Sequence, residues 1–523
     1  MTDKISKRTR GSRSPDARVV KVRTEGKRFG IVKTLAAGLI ILGQLALLLL
    51  VYLGLLNSFK WYMVVAALLS FLCCLHVISG IKTGQSRAVW VLFLMVFSSF
   101  GYIFYILSSE DVFFYHSKRR YKKIFARTAE FNGDNVAAKN LAPAVQKDAE
   151  FLWRTGNFKV YENSRLKYYS SGTQMFDAVI SALENAEKFI FIEFFIISDG
   201  VLLNSITEIL CRKVKAGVEV RIICDGLGSH RTLSFKTRKK LRKAGVKLLF
   251  FNRIMPHFTF ALNLRDHRKI IVVDGKVAFS GGCNLADEYV NAKRMHGYWK
   301  DAGIKTEGDA VDGITLLFLR QWEFLARKQE DYSHYFGFYD KFEKSGAVVP
   351  YADGKDYKAS IGKGVYDNII SGARERLYIM TPYFVPDETT FNMMYSQALS
   401  GVDVRLVLCG VPDKAYVYLV TLDNAQRLVK SGVKVYIMRH AFVHSKVMLS
   451  ENCAAVSSVN IDLRSYFNQF ENGVYTDDEG VKKDILSDFE NTFNACDLLE
   501  ESKRKNPFKR FVSGLLRLFA PLM

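Results

Sequence analysis

Four blocks of sequence occur twice, in the same order, in the part of the chain after residue 150. Residues 188–197 (KFIFIEFFII) are echoed by 376–385 (RLYIMTPYFV), and 216–224 (AGVEVRIIC) by 400–409 (SGVDVRLVLC). Residues 243–250 (KAGVKLLF) return as 430–437 (KSGVKVYI), and the longest block, 266–289, returns as 443–466. A helix ending in an AGV-type turn before a strand is common to α/β proteins, so that turn alone carries little weight. The ordered recurrence of all four blocks does carry weight. Within each copy, short apolar β-rich runs alternate with amphipathic stretches such as 175–186 and 204–215. In the second of these Ile206, Ile209, Leu210 and Val214 recur at helical spacing. This is the grammar of layered α/β folds. The expected architecture is therefore two pseudo-symmetric α/β lobes, 151–345 and 346–500, with one site between them.

What precedes the repeat is of another kind. Residues 34–59, 61–81 and 88–109 contain no Asp, Glu, Lys or Arg. About 20 apolar residues in helix span a bilayer core, and each run is that long. Three such runs exceed what a cleavable leader or a buried core helix supplies. The chain is expected to sit in the cell membrane, with a basic head (1–30), a transmembrane region of two or three spans (31–109) and a basic linker (110–150). The charge agrees. There are 74 Lys+Arg against 52 Asp+Glu. Of the surplus of 22, residues 1–28 hold 7, residues 118–123 hold 5 and residues 502–523 hold 6. The rest of the chain is nearly neutral overall, which argues against nucleic acid as the partner and for an anionic membrane surface.

Basic clusters flank the apolar region on both sides, and both favour the cytoplasm. Three full crossings cannot satisfy the two together, so one run is expected to be re-entrant or interfacial, or one cluster yields. Eight cysteines without disulfide or metal spacing suit a reducing compartment, which tips the lobes towards the cytoplasmic side. In the tail (501–523), Phe508, Phe511, Val512, Leu515, Leu516 and Phe519 form one helical stripe, with Lys509, Arg510 and Arg517 off it. Such a helix lies in a membrane interface or packs on the protein's own lobes.

The chemistry is concentrated in the longest block. Its first copy reads His267-x-Lys269, with Asp274 seven residues after the histidine, then Gly281-Gly282-Cys283-Asn284. Its second reads His444-x-Lys446, Glu451, then Ser457-Ser458-Val459-Asn460. A lone H-x-K is uninformative among nine histidines; two copies, each followed by a small-small-x-Asn turn, are not. A strand after each histidine projects His and Lys onto one face. Doubled across a pseudo-dyad, that face offers two imidazoles, two ammonium groups and two Asn side chains, a set suited to a phosphodiester. Lysines with Asn or Ser donors, Asn284, Asn460 and Ser458 among them, neutralise phosphoryl oxygens. One imidazole attacks phosphorus, the other protonates the leaving alkoxide, and an acidic residue supports each. Neither a metal-ligand cluster nor a phosphate-binding P-loop accompanies the set, and no cofactor is expected. His116, His230, His257, His296, His334 and His440 lie outside the repeat and are expected in surface or loop roles.

The paired H-x-K-x4-D motifs resemble those of the phospholipase D superfamily. The N-terminal spans, the Tyr298-Trp299-Lys300-Asp301 segment, the Asn460-x-Asp462-x-Arg464-Ser465 run and the basic amphipathic close are similar to the bacterial cardiolipin synthases. The resemblance covers most of residues 88–523. It implies two phospholipase D-like lobes and a reaction in which two phosphatidylglycerols give cardiolipin and glycerol, without nucleotide. By the same resemblance His267 is the nucleophile and His444 the general acid and then base. Lys269, Lys446, Asn284 and Asn460 hold the phosphate, and Asp274 supports the first motif. Glu193, alone among apolar neighbours, either supports the site or serves as a structural salt-bridged residue. Two departures stand in the second copy: Glu451 where the family has Asp, at a spacing to the Asn shorter by one residue, and Ser457 where Gly is usual. Alternatives in the same chemistry are water or another alcohol as acceptor. From another class, a decayed anionic-lipid-binding scaffold is motivated by those departures and opposed by the retention of both His, Lys and Asn. A nuclease is disfavoured by where the charge lies.

Overall fold

The computed structural model describes residue 54 and residues 60–80, 84–108, 110–135, 137–252, 264–501 and 513–517. The basic head, nearly all of the first apolar run, His257 and most of the tail stripe lie outside the described residues. The chain divides into two units, residues 1–76 with 93–102 and residues 77–92 with 103–523.

The second apolar run forms the helix Lys60–Ser79, all but its last three residues in the small unit. Its stretch Trp61–Ser79 is the one helix among the described residues long and apolar enough to cross a membrane. Of the three runs, one was expected to be re-entrant or interfacial unless a basic cluster yields, and the third is not one continuous helix. It is divided between the helices Gly84–Val96 and Gly101–Ser108, of 13 and 8 residues, and neither alone covers a core about 30 Å thick. The break falls at Ser98 and Ser99. Their carbonyls accept from Ser70 Oγ (2.6 Å) and Tyr62 OH (2.8 Å), partners that an apolar setting demands for backbone groups released from a helix.

The large unit holds two sheets built on one plan. In the first half the strands are β1 (Ser164–Tyr169), β2 (Phe189–Phe194), β3 (Glu219–Asp225), β4 (Lys247–Phe251), β5 (Arg265–Asp266), β6 (Lys269–Val273), β7 (Val277–Gly281), β8 (Tyr298–Lys300) and β9 (Gly303–Gly308). Seven of them form a sheet in the order β1-β9-β7-β6-β2-β3-β4. The second half supplies β10 (Val348–Asp353), β11 (Arg376–Met380), β12 (Phe384–Val385), β13 (Asp403–Cys409), β14 (Lys434–Met438), β15 (Ala441–Val443), β16 (Val447–Ser450), β17 (Ala454–Ser457), β18 (Ile461–Asp462), β19 (Gln469–Thr476) and β20 (Cys496–Leu498). Its sheet runs β10-β19-β17-β16-β11-β13-β14-β20, the same order with one strand added. Each sheet carries three parallel strands, β2-β3-β4 or β11-β13-β14, and an antiparallel hairpin, β6-β7 or β16-β17, follows them in the chain. The central strands are buried on both faces, which is why they read as continuous apolar runs. One contiguous apolar core passes through both halves.

Two short pairings cross between the halves. β5 pairs in parallel with the start of β19, and β8 pairs in parallel with β15. Each lies immediately before a motif histidine. The helix Glu110–Arg127, expected as linker, docks on the body: the Tyr121 ring stacks on Phe324 at 3.8 Å, and Tyr121 OH donates to Gln321 Oε1 at 2.7 Å. In the described part of the tail, Leu516 packs against Val385, Val417, Val420 and Leu463, and Arg517 pairs with Asp423. That part of the stripe lies against the second half.

Candidate active site

The crossed pairings fix the site before any side chain is considered. His267 N–H donates to Phe470 O (2.8 Å), which places the next residue of that strand, Glu471, opposite the first imidazole. His444 N–H donates to Lys300 O (2.7 Å), which places Asp301 opposite the second. The side chains follow. His267 Nδ1 lies 2.8 Å from Glu471 Oε2 and 3.0 Å from Oε1; His444 Nδ1 lies 2.6 Å from Asp301 Oδ2. Each half therefore lends a carboxylate to the other half's histidine. With Nδ1 engaged, Nε2 is left for chemistry in both rings.

The two lysines of the H-x-K pairs share this space. Lys269 Nζ donates to His267 O; Lys446 Nζ donates to His444 O and lies 2.8 Å from His444 Nδ1. All four groups are buried. Burial lowers the His267 imidazole well below its ordinary value, and the charges of Lys269 and Lys446 lower it further. Burial, then Lys446, brings His444 to about 4, against the pull of Asp301. Burial takes Lys269 down to about 7 and Lys446 to about 8. Burial also raises the Glu471 carboxyl, opposed by Lys269 and by the Ser458 hydroxyl. These are the marks of a desolvated cationic site, one suited to an anion such as a phosphodiester. Aromatic edges wall it: Phe195 lies 5.0 Å from the His267 ring and Tyr289 5.2 Å from the His444 ring.

The other expected site residues divide. Asn284 is held, its Oδ1 accepting from Ile196 N–H at 3.1 Å and its Nδ2 donating to Tyr289 OH at 2.5 Å. Asn460 keeps a buried Oδ1 that has no partner among the described residues. Ser458 Oγ donates to Glu471 Oε2 (2.5 Å), so it buttresses the carboxylate of the first imidazole. Ser457, where Gly is usual, turns its hydroxyl to Tyr366 OH (2.7 Å) and accepts from Val459 N–H (3.1 Å).

Asp274 and Glu451 are not brought to the imidazoles. Asp274 accepts from the N–H groups of Glu187, Lys188 and Phe189 at 2.7–2.9 Å, and Glu451 from those of Arg374, Glu375 and Arg376 at 2.7–3.3 Å. Each caps the entrance of the neighbouring strand, at the far end of β6 or β16 from the histidine. Burial pushes the Glu451 carboxyl up, and those backbone donors more than offset it. The one-residue difference in spacing is absorbed by the hairpin turn. Val273 pairs with Val277 across three residues, whereas Ser450 N–H donates to Cys453 O across two. A longer Glu on a shorter turn reaches the same kind of donors.

Glu193 lies on the opposite face of β2 from the lysines. Its neighbour there is Arg268 (3.9 Å), beside Asp266, and both Glu193 oxygens are buried without a hydrogen bond among the described residues. Burial, then Asp266, raises this carboxyl far above the ordinary range.

Sequence reasoning anticipated an acid for each histidine without naming Glu471 or giving Asp301 that role, and it missed Asn472. Asn472 Oδ1 accepts from Lys269 N–H (2.9 Å) and its Nδ2 donates to Ser280 Oγ (3.0 Å), tying the halves together. A signal was present. Asp301-Ala302-Gly303-Ile304 and Glu471-Asn472-Gly473-Val474 are a fifth repeated block, acid-x-Gly-aliphatic. It escapes notice because it stands 17 residues after Asn284 in one copy and 11 after Asn460 in the other.

A family model described as cardiolipin synthase, phospholipase D-like domain, matches residues 179–295 and 366–495. An uncharacterized protein of Streptococcus mutans serotype c is 34% identical over 456 residues, 86% of this chain and 99% of that protein. A cardiolipin synthase of Geobacillus kaustophilus is 31% identical over 457 residues, covering 84% of this chain and 89% of its own length. Cardiolipin synthase 2 of Staphylococcus epidermidis is 30% identical over 463 residues, covering 84% and 93%. Among solved structures, phosphatidylserine synthase of Haemophilus influenzae Rd KW20 superimposes with a TM-score of 0.54 at 15% identity, over 72% of this chain and 98% of that one. At that identity the likeness is one of fold.

Proposed function

The chain belongs to the cardiolipin synthase family of phospholipase D-like proteins, and we propose that it joins two phosphatidylglycerols into cardiolipin with release of glycerol. The observation that carries this reading is the crossed pair His267–Glu471 and His444–Asp301, with Lys269 and Lys446 between them.

Glu471 accepts Nδ1–H of His267 and leaves the Nε2 lone pair to attack phosphorus. The bond from phosphorus to the glycerol oxygen breaks, and the departing alkoxide takes a proton from His444. The phosphatidyl group now sits on His267. His444, neutral again, removes the proton from a hydroxyl of the second phosphatidylglycerol. That oxygen attacks phosphorus, the N–P bond breaks and cardiolipin leaves. The two ammonium groups hold the non-bridging oxygens, with Asn460 and Asn284 at their sides. Burial keeps His267 unprotonated, as a nucleophile requires, and the arriving phosphodiester anion favours the protonated His444 that the first step needs.

The basic clusters of residues 1–28 and 118–123 both favour the cytoplasm, and we place the lobes on that side.

The test is incubation of the detergent-solubilised protein with phosphatidylglycerol alone, products resolved by mass spectrometry. Cardiolipin plus glycerol is expected. Phosphatidic acid as sole product would make water the acceptor, and absence of turnover would favour a lipid-binding scaffold.

A further inference from the structure

The near-neutral body conceals a local extreme. Residues 226–265 contain ten Lys and Arg and no Asp or Glu. Six of the ten lie in the helix Phe235–Lys243 (FKTRKKLRK), whose one buried side chain is Leu241. Lys236, Lys239, Lys240, Arg242 and Lys243 are exposed and make no salt bridge among the described residues. A helix this charged gains little from its own fold, since like charges three and four residues apart repel.

The helix begins beside the mouth of the site. The loop before it packs on the residue that walls the first imidazole: Ser229 Oγ donates to Phe195 O at 3.0 Å, and Phe195 edges His267. At the start of the helix Phe235 is 70% exposed. It is one of a group. Val201, which opens the helix after β2, is 68% exposed, and Leu227, Tyr298, Tyr416 and Leu419 are exposed as well. Each of the six stands at the edge where the histidines open. Val201, Leu227 and Phe235 follow the carboxyl ends of β2 and β3. Tyr298 opens β8, opposite Ala441, three residues before His444. Tyr416 and Leu419 lie in the first turns of the helix Ala415–Val429, after β13. Large apolar side chains grouped around an opening, with basic side chains beside them, match a bilayer surface bearing anionic headgroups, where aromatic rings and lysines take up the interface.

We propose that this edge of the two lobes seats on the membrane, with Phe235 and its neighbours entering the headgroup layer and the basic helix Phe235–Lys243 binding anionic lipid, so that a lipid phosphate reaches the histidines without leaving the bilayer. The proposal rests on the lipid-phosphodiester reading of the site for its occupant. Charge complementarity selects a bilayer over a second copy of this chain, whose own matching edge is equally basic and would be repelled.

Lipid contact is tested without turnover. In full-length protein reconstituted into vesicles of phosphatidylglycerol and brominated phosphatidylcholine, Phe235→Trp is expected to add strongly quenched emission to that of the native tryptophans. Leu399→Trp, exposed on the opposite side of the second lobe, is expected to add unquenched emission. Equal quenching at both positions, or quenching at Phe235→Trp that follows protein concentration and not bromine content, would overturn the proposal. The variant Lys236→Gln/Lys239→Gln/Lys240→Gln/Lys243→Gln is expected to lose about tenfold in turnover on vesicles and less than twofold on dispersed short-chain phosphatidylglycerol. Equal losses on both substrates would overturn it. Wild-type protein that makes no cardiolipin, yet shows the selective quenching, would sink the catalytic reading and leave this surface standing.

Discussion

The two halves of the candidate site carry the same groups and back them differently. Facing the opening, each half shows a buried imidazole, a lysine two residues on, and a carboxylate received from the other half. Behind the first motif lie Asp266, Arg268 and Glu193, buried charges reached by Gln321 and by Tyr121 of the docked helix. The corresponding positions behind the second motif are Val443, Ser445 and Met380, judged from the strand registers. The turn beside the carboxylate differs as well. At Gly282 a Cβ would fall 2.2 Å from Asp301 Oδ1, whereas its counterpart Ser458 hydrogen-bonds Glu471. Duplication has held the groups at the candidate site and let the support diverge. The supports can therefore be tested one half against the other.

The largest effect belongs to the imidazoles. His267→Ala and His444→Ala should each lower turnover by about 10²–10⁴ or more. Acid-quenched protein mapped by mass spectrometry should carry the phosphatidyl group on the His267 peptide, and its recovery on the His444 peptide would reverse the roles of the halves.

Behind the motifs the contrast is one of stability. Arg268→Met strands two buried carboxyls and should cost about 3–5 kcal/mol in denaturant unfolding. Ser445→Ala at the matching position should cost about 1 kcal/mol or less. Similar costs would show the charge cluster to be neutral ground.

For the crossed carboxylates, Glu471→Gln and Asp301→Asn should each lower kcat by about 10²-fold, with partial rescue by Glu471→Asp and Asp301→Glu. Retention of phosphatidyl-enzyme formation by Asp301→Asn and its loss in Glu471→Gln would assign the first carboxylate to the nucleophile's half. The turns should separate next: Gly282→Ala forces Asp301 aside and should cost more than tenfold in kcat, Ser458→Ala about tenfold or less.

The smallest difference is in pH. Lys269 at about 7 and Lys446 at about 8 lose their charge as pH rises, so kcat/KM, which reports the free enzyme, should fall in two stages through that range. Lys269→Arg keeps its charge throughout and should remove the earlier stage from whatever activity remains. A flat profile to pH 9 would show that burial has not lowered either lysine.

Much of this molecule is legible in the order of its residues. The repeat predicted two like sheets because strands buried on both faces must read as apolar runs, and a duplicated series of such runs folds twice. The pairing of His267 with Lys269 and of His444 with Lys446 followed from strand alternation, a local rule. Long-range pairing was not legible. Asp274 and Glu451, five residues beyond the lysines in sequence, serve the entrance of a neighbouring strand. Glu471 and Asp301, more than 140 residues from the histidines they support, stand against them because β5 and β8 cross to the other half's strands. The third apolar run shows the same limit. Its composition is that of a span, yet it breaks where Ser70 and Tyr62 of another helix satisfy the carbonyls of Ser98 and Ser99, partners that no local pattern announces. Periodicity and composition act between near neighbours and so are written in the sequence. Which backbone group meets which partner across the fold is decided only when the chain closes on itself.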